Sequence, residues 1–257
     1  MNYKEFEPSF VLYIGNMFGG KTASAISDCQ RAEIAGKKVG AFKVSFDDRY
    51  SKKFIVTNNG QLKYSACYVR DVETLEKLAK DKDVVFIDEL QFWDESIIEY
   101  IKENKNKKKI IATSLQYDFR GEPFHLRRKR FEDSQLTIGA ALEIADVIKQ
   151  FWPVCTFEHS KNICGDVAFY PQRWRKNKEL SRYIDQTIVI GGKNFYAPRC
   201  KKHFVKPNKN GSFTLFNGNI LLSRGLMSLN GKEFQEVFED NCGNKGYLEE
   251  FLEKIED

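Results

Sequence analysis

Eight residues near the start of the chain, Gly15 to Thr22, read GNMFGGKT and fit the spacing G-x-x-x-x-G-K-[ST]. Glycines at Gly15 and Gly20 let the backbone curl so that successive amides face one anion, and the positive end of a following helix strengthens that attraction. Lys21 is placed to reach the β- and γ-phosphates of a nucleoside triphosphate, and Thr22 to put its hydroxyl on a magnesium ion. Asn16, Met17, Phe18 and Gly19 complete the phosphate-holding loop. Magnesium is a hard cation and calls for a carboxylate at the end of a neighbouring strand. The run VVFIDE, residues 84–89, supplies one. Asp88 is the expected second magnesium residue. Glu89, on the opposite side of that strand, is a candidate general base that takes a proton from an attacking hydroxyl or water.

Those residues need elements to hold them. SFVLYI (9–14) is a β-rich apolar run ending at Gly15, and Ala25, Ile26, Cys29 and Ala32 follow at helical spacing until Gly36. The loop therefore lies between a strand and a helix, as its chemistry requires. KVGAFKV (38–44), DVVFIDE (83–89) and KIIATSL (109–115) read as further strands, with helical patterns over 72–80 and 94–102. Apolar strands alternating with helices predict an α/β fold: a P-loop NTPase-like, mostly parallel sheet flanked by helices. After about residue 151 the pattern changes to short strands (DVAFY, TIVIGG) and turns, which predicts a small second lobe. The last stretch holds turn-like KPNKNGSF and NGNI, then GYLEEFLEKIED as an amphipathic helix. The expected division is 1–151 for the α/β domain, 152–205 for the lobe and 206–257 for a C-terminal extension.

The 257 residues are 42% hydrophobic and 30% charged, a globular balance without an uninterrupted apolar run long enough for a bilayer. The first ten residues carry two glutamates and no apolar core, so the expectation is a cytoplasmic chain in a reducing compartment. The formal charge of +5 is spread along the chain, and KENKNKKK (102–109) and RRKR (127–130) read as solvated segments. No membrane role and no nucleic-acid partner are expected. Six cysteines in such a compartment are read as core packing or metal binding rather than disulfides.

Beyond these local readings, five ordered motifs resemble one family, the P-loop thymidine kinases shared by vertebrates, many bacteria and poxviruses. GNMFGGKT is similar to its G-P-M-F-S-G-K-[ST], KVSFDDRYS (43–51) to its K-x-x-x-D-x-R-Y-S, and FIDELQFW (86–93) to its I-D-E-x-Q-F-F. SLQYDFRGEPF (114–124) is similar to G-L-D-x-D-F-R-G-x-P-F, and VIGGKNFYAPRCKKHF (189–204) to I-G-G-x-x-x-Y-x-x-x-C-R-x-C/H-[HYF]. The resemblance spans about residues 9–205. It implies transfer of the γ-phosphate of ATP to the 5′-hydroxyl of thymidine, or of deoxyuridine, with Glu89 as the base and Arg49 as positive charge near the moving phosphoryl. It implies a base pocket of Met17, Phe92, Leu115, Phe119, Phe124 and Tyr196, closed by a lasso of Val189, Ile190, Gly191 and Gly192 leading to Tyr196. A homotetramer is also implied.

The resemblance further implies a structural zinc in the small lobe, held by two pairs of ligands. Cys200-x-x-His203 is the second pair, and Cys155 with Cys164 the first, although eight residues intervene where the family commonly has two. Cys155 with His159, leaving Cys164 free, is the alternative. Other departures are Gln116 for the usual aspartate, Asn58 and Asn59 for a histidine-aspartate pair, and the longer segment 125–137. They bear on the nucleoside, and a modified pyrimidine deoxynucleoside is one alternative. A nucleic-acid-stimulated P-loop ATPase, with Glu89 activating water, is the rival from another class.

Overall fold

A computed structural model of the protein describes residues 6–44, 53–57, 60–129, 132–159, 161–189, 192–228 and 234–255. Two compact units emerge, one of residues 1–116 and 123–151 and the other of 117–122 and 152–257.

The first unit contains strands β1 (Ser9–Gly15), β2 (Val39–Val44), β3 (Phe54–Val56), β4 (Lys63–Ser65), β5 (Cys67–Val69), β6 (Val84–Ile87), β7 (Lys109–Leu115), β8 (His125–Lys129), β9 (Glu132–Thr137) and β10 (Val147–Phe151). Six of them form one sheet in the order β10-β1-β7-β6-β2-β5, and every neighbouring pair is parallel. Alternation along the strands sorts the apolar side chains to two faces. Phe10, Leu12, Ile14, Val85, Ile87, Ile110 and Ala112 pack with residues of α2 (Val72–Ala79), α3 (Ile97–Asn104) and α4 (Gly139–Ile144). Val11, Tyr13, Val84, Phe86 and Ile111 pack instead with Ala25, Ile26, Cys29 and Ala32 of α1 (Lys21–Ile34) and with Ile55 and Tyr64 of the β3–β4 hairpin. Both faces are therefore covered, as near-continuous apolar strands require.

Three details differ from the sequence expectation. The third expected strand stops at Ile87, so Asp88 and Glu89 lie just past it, and Glu89 turns the chain with φ 51° into a short 3₁₀ turn, Leu90–Phe92. The helix expected over 94–102 starts at Ile97, because the Asp94 carboxylate accepts from the Ser96 N–H (3.0 Å) and residue 94 bridges to Arg127. The edge strands β5 and β10 carry no apolar run: β5 has three residues, and β10 (VIKQF) contains no fully buried side chain.

In the second unit, β11 (Glu158–His159) pairs with β12 (Asn162–Ile163), and β13 (Tyr170–Arg173) with β14 (Tyr196–Arg199). The expected strand in DVAFY begins only at Tyr170. That expected in TIVIGG is absent among the described residues of the stretch, where the Thr187 carbonyl accepts from Arg173 and the Val189 carbonyl from the Tyr196 hydroxyl, and Gly192–Asn194 forms a 3₁₀ turn. The extension folds as a five-stranded antiparallel sheet, β15 (Lys206–Pro207), β16 (Phe213–Thr214), β17 (Ile220–Ser228), β18 (Phe234–Glu239) and β19 (Lys245–Tyr247), followed by α5 (Leu248–Glu253). One apolar cluster joins Cys155, Phe157, Leu180 and Cys200 to Phe213, Leu221, Phe238, Phe251 and Leu252.

Candidate functional site

β1, β7 and β6 are neighbours in the parallel sheet, so their C-terminal ends lie side by side. Ligands of open α/β sheets bind at that edge. The Gly15–Thr22 loop leaves β1 there and feeds α1, whose N-cap is Gly20. A Cβ built on Gly15 would stand 1.9 Å from the Phe151 carbonyl oxygen, and one on Gly19 2.5 Å from it. No side chain fits at either position. The loop thus runs hard against the end of β10, and glycine is required by contact with fixed backbone. Lys21 is buried, and its Nζ donates to the Asn16 carbonyl (2.7 Å), which folds the lysine back across the loop. Thr22 follows in the first turn of α1.

Asp88 is buried and accepts from the Thr113 hydroxyl (2.9 Å), while Thr113 itself accepts from the Glu89 N–H (3.0 Å). Trp93 Nε1 donates to the Asp88 carbonyl (3.0 Å). Residue 88 is therefore held from the neighbouring strand and from the turn that follows it. Gln91 is fully buried, and its side chain links the two strand ends. Its Oε1 accepts from the Leu115 N–H (3.1 Å) and the Ser114 hydroxyl (3.0 Å), leaving its amide N–H to donate to Glu89 Oε2. The orientation is unambiguous, because a backbone N–H can only face the amide oxygen. Thr113, Trp93 and Gln91 were not singled out from the sequence. The Gln of FIDELQFW carried the signal, two residues beyond the acid whose carboxylate it meets.

The residues expected to enclose a base divide between the units. Met17, Phe92, Leu115 and Phe124 lie in the first, where Leu115 pairs with Gly15 across β1 and β7 and the Phe92 and Phe124 rings meet edge to face with centroids 6.3 Å apart. Phe119, Val189, Gly192 and Tyr196 lie in the second. Phe119 is buried there between the guanidinium groups of Arg120 and Arg173, 4.4 and 3.4 Å from its ring centre. The Tyr196 hydroxyl donates to the Val189 carbonyl (3.0 Å). Arg49, Ile190 and Gly191, and the departures at Asn58 and Asn59, lie outside the described residues.

Cys155, Cys164, Cys200 and His203 come together in the second unit, with ligand atoms all within 4.8 Å of one another. Zinc–sulfur bonds of about 2.3 Å at tetrahedral angles set sulfurs about 3.8 Å apart. Cys164 and Cys200 stand at 3.9 Å, and His203 Nδ1 lies 3.3 Å from Cys200 Sγ and 3.6 Å from Cys155 Sγ. The imidazole is stacked on Phe157 with centroids 4.1 Å apart, which fixes the ring so that Nδ1 faces the sulfurs. A hydrogen bond from Cys200 pulls the Cys155 thiol down to about 4, against burial, and the same bond pushes Cys200 up. Three crowded sulfurs and an imidazole form a donor set compatible with zinc. His159 is engaged elsewhere, its Nδ1 lying 2.9 Å from Glu253 Oε1.

Residues 127–129 of the basic run expected to be solvated lie in β8, where Arg127 stands opposite Asp133 and Lys129 opposite Glu132 of β9. Arg127 is buried and ion-paired with Asp133. Among the described residues no helix is long and apolar enough to cross a membrane.

Comparison with known proteins agrees with this geometry. The thymidine kinase family profile matches residues 9–204. The chain is 35% identical over 203 residues to a thymidine kinase of Coprothermobacter proteolyticus, an alignment covering 79% of this chain and 92% of that protein. It is 33% identical over 201 residues to a thymidine kinase of Pyrobaculum aerophilum, covering 77% and 98%. With a family match across three of its motif-bearing strand ends and its Cys/His cluster, the chain belongs to the thymidine kinase family.

Proposed function

We propose that the protein transfers the γ-phosphate of ATP to the 5′-hydroxyl of thymidine, giving thymidine monophosphate. The observation that carries this reading is the juxtaposition at one sheet edge of the Gly15–Thr22 loop and the Asp88–Glu89 pair, in a chain whose family match runs through both. The loop amides and Lys21 hold the triphosphate. Thr22 and Asp88 hold magnesium, which when bound offsets charge on the phosphates. Glu89 accepts the proton of the attacking hydroxyl, and Gln91 keeps its carboxylate aimed. Arg49 adds positive charge where the transition state spreads negative charge over oxygen.

Met17, Phe92, Leu115, Phe119, Phe124 and Tyr196 enclose the base, and residues 189–192 close over it through backbone groups. Backbone donors and acceptors at the Watson–Crick edge favour thymine or uracil over cytosine, so deoxyuridine is a second substrate. Cys155, Cys164, Cys200 and His203 hold a structural zinc, supported by the spacing of their ligand atoms. We take residues 1–151 as the kinase domain, 152–205 as the zinc and lasso lobe and 206–257 as its extension. The working assembly is a homotetramer in the cytoplasm. The family assignment does not favour the nucleic-acid-stimulated ATPase.

The test is product analysis after incubation with ATP, magnesium and each natural deoxynucleoside, beside Glu89→Gln. Thymidine monophosphate that disappears in the variant is the expected result. ATP hydrolysis without a phosphorylated nucleoside would overturn the proposal.

A further inference from the structure

In the D-F-R-G-E segment, Asp118 to Glu122, only Phe119 has so far been given a task. The segment belongs by contact to the second unit, although the chain on both sides of it belongs to the first. Its side chains meet residues 183–187, which carry no regular secondary structure and whose backbone groups therefore need partners. Arg120 Nε donates to the Tyr183 carbonyl (2.8 Å), its Nη2 to the Asp185 carbonyl (2.7 Å) and its Nη1 to the Thr187 hydroxyl (3.2 Å). Arg173, buried at 1% exposure, donates through Nη1 to the carbonyls of Gln186 (2.6 Å) and Thr187 (3.2 Å) and through Nε to Ser181 Oγ (2.9 Å). Phe119 is the shared platform between the two guanidiniums. The Tyr183 hydroxyl donates to the Glu122 carboxylate (3.0 Å).

The place of this segment in the chain gives the anchor its meaning. Strands β13 and β14 pair Arg173 with Tyr196, so these two residues form the neck of the segment between the strands. Both neck residues reach into the loop, Arg173 to residues 181–187 and Tyr196 to Val189. Residues 183–187 are thus fixed immediately before the stretch 189–196 begins.

We infer that Arg120 and Arg173, braced on Phe119, are positioning residues that preset the loop closing over the nucleoside, and so set affinity for the base rather than the rate of phosphoryl transfer. The inference rests on the proposed reading that residues 189–196 hold the base. A planar guanidinium can serve two carbonyls at once and lie flat on a ring, whereas a lysine ammonium offers one nitrogen and cannot do both. Preorganising a binding loop lowers the ordering cost that each binding event otherwise bears.

The test uses Arg120→Lys, Arg173→Lys and the milder Tyr183→Phe in the full chain, with thermal unfolding to confirm folding. Steady-state kinetics and amide hydrogen exchange over residues 181–189 are both read. The expected result for either lysine variant is a KM for thymidine raised about tenfold or more, kcat and the KM for ATP within about threefold, and faster exchange in the loop. Tyr183→Phe moves the same two quantities in the same direction by less. Unchanged exchange in all folded variants would overturn the anchor. Faster exchange with an unchanged thymidine KM would overturn its role in affinity, as would an equal loss in kcat. Should Arg173→Lys not fold, Arg120→Lys and Tyr183→Phe decide the matter. Absence of thymidine phosphorylation by the unmodified chain would instead defeat the functional reading, and the exchange data would still decide the anchor.

Discussion

Replacing Gln91 by methionine removes every hydrogen bond of a fully buried side chain while nearly keeping its volume. Three bonds are lost: the donation to Glu89 Oε2, and the acceptance from the Leu115 N–H and the Ser114 hydroxyl. Ser114 keeps an alternative acceptor in the Leu115 carbonyl (3.0 Å), so its loss is small. A neutral bond contributes about 0.5–1.5 kcal/mol and one to a charged group about 1.5–3, which puts the stability loss at about 2–5 kcal/mol. The effect on rate comes from the bond to Glu89 alone. If its 1.5–3 kcal/mol is realised in aiming the carboxylate at the substrate hydroxyl, kcat falls about ten- to a hundredfold. Gln91→Glu keeps acceptors for Leu115 and Ser114 but sets a second, buried carboxyl against Glu89, so the two repel or share a proton and Glu89 loses its role as a free carboxylate. The assay is thymidine-dependent ADP formation at saturating ATP, with unfolding temperature measured on the same preparations and Glu89→Gln as the floor. Both variants should lose kcat and stability, Gln91→Met through its lost hydrogen bonds and Gln91→Glu through the crowded carboxyl pair. Folded variants of both kinds with kcat within about threefold of the unmodified chain would refute the argument that Gln91 aims the base.

Gly19→Ala brings a Cβ to within 2.5 Å of the Phe151 carbonyl oxygen, a backbone atom that cannot swing aside, and should cost about 1–3 kcal/mol and abolish ATP binding in titration calorimetry. Cys200→Ser should empty the Cys/His cluster of zinc as measured by elemental analysis, while Cys242→Ser, at an exposed position outside the cluster, should leave it filled. Burial alone would raise the Asp185 carboxyl, but the Arg175 fork (2.8 and 2.7 Å) and the Arg182 N–H outweigh it and hold the group below its ordinary range. Its stabilising contribution is therefore complete above the unfolded value of about 3.9 and is lost as pH falls through the lower folded value. The stability gap to Asp185→Asn, from denaturant titrations, should be full at neutral pH and shrink below about pH 4; a gap constant down to about pH 3 would contradict the assignment.

The central strands were legible because a parallel sheet covered on both faces demands apolar runs, and SFVLYI, VVFI and KIIATSL have them. What sequence periodicity missed lies where burial is partial. Strand β10 is an edge with Val147 and Ile148 both exposed, and its polar alternation resembles a loop. The C-terminal sheet was hidden for a related reason: its strands are short or bulged, and β17 shifts register between Ser223 and Leu226. The Gly15–Thr22 loop and the Asp88–Glu89 pair, proposed to hold phosphate and magnesium, stood out because their residues are adjacent in the chain. Gln91, Arg120 and Arg173 did not, since their task is set by partners that only the fold supplies. Phe119, proposed to lie against the base, has contacts with two guanidiniums that the sequence did not announce.

One backbone feature ties the two parts of the first unit's site together. Had the chain continued past Ile87 in extended form, residues 89 and 91 would point to the same face about two strand rises, or roughly 7 Å, apart, and a glutamine amide would not fold back onto the acid. Glu89 at φ 51° ends the strand at once and opens the 3₁₀ turn, which returns Gln91 beneath the Glu89 carboxylate and sends Trp93 Nε1 to the Asp88 carbonyl. A left-handed conformation at a residue with a Cβ costs on the order of 1–3 kcal/mol. Glycine would relieve that cost; here the turn is held by Thr113 on the Glu89 N–H, Gln91 on the Glu89 carboxylate and Trp93 on the preceding Asp88 carbonyl. Phe18, at φ 67° in the Gly15–Thr22 loop, is the corresponding case after β1. Both residues carry side chains that glycine could not supply, and both lie where β1 and β6 end on either side of β7.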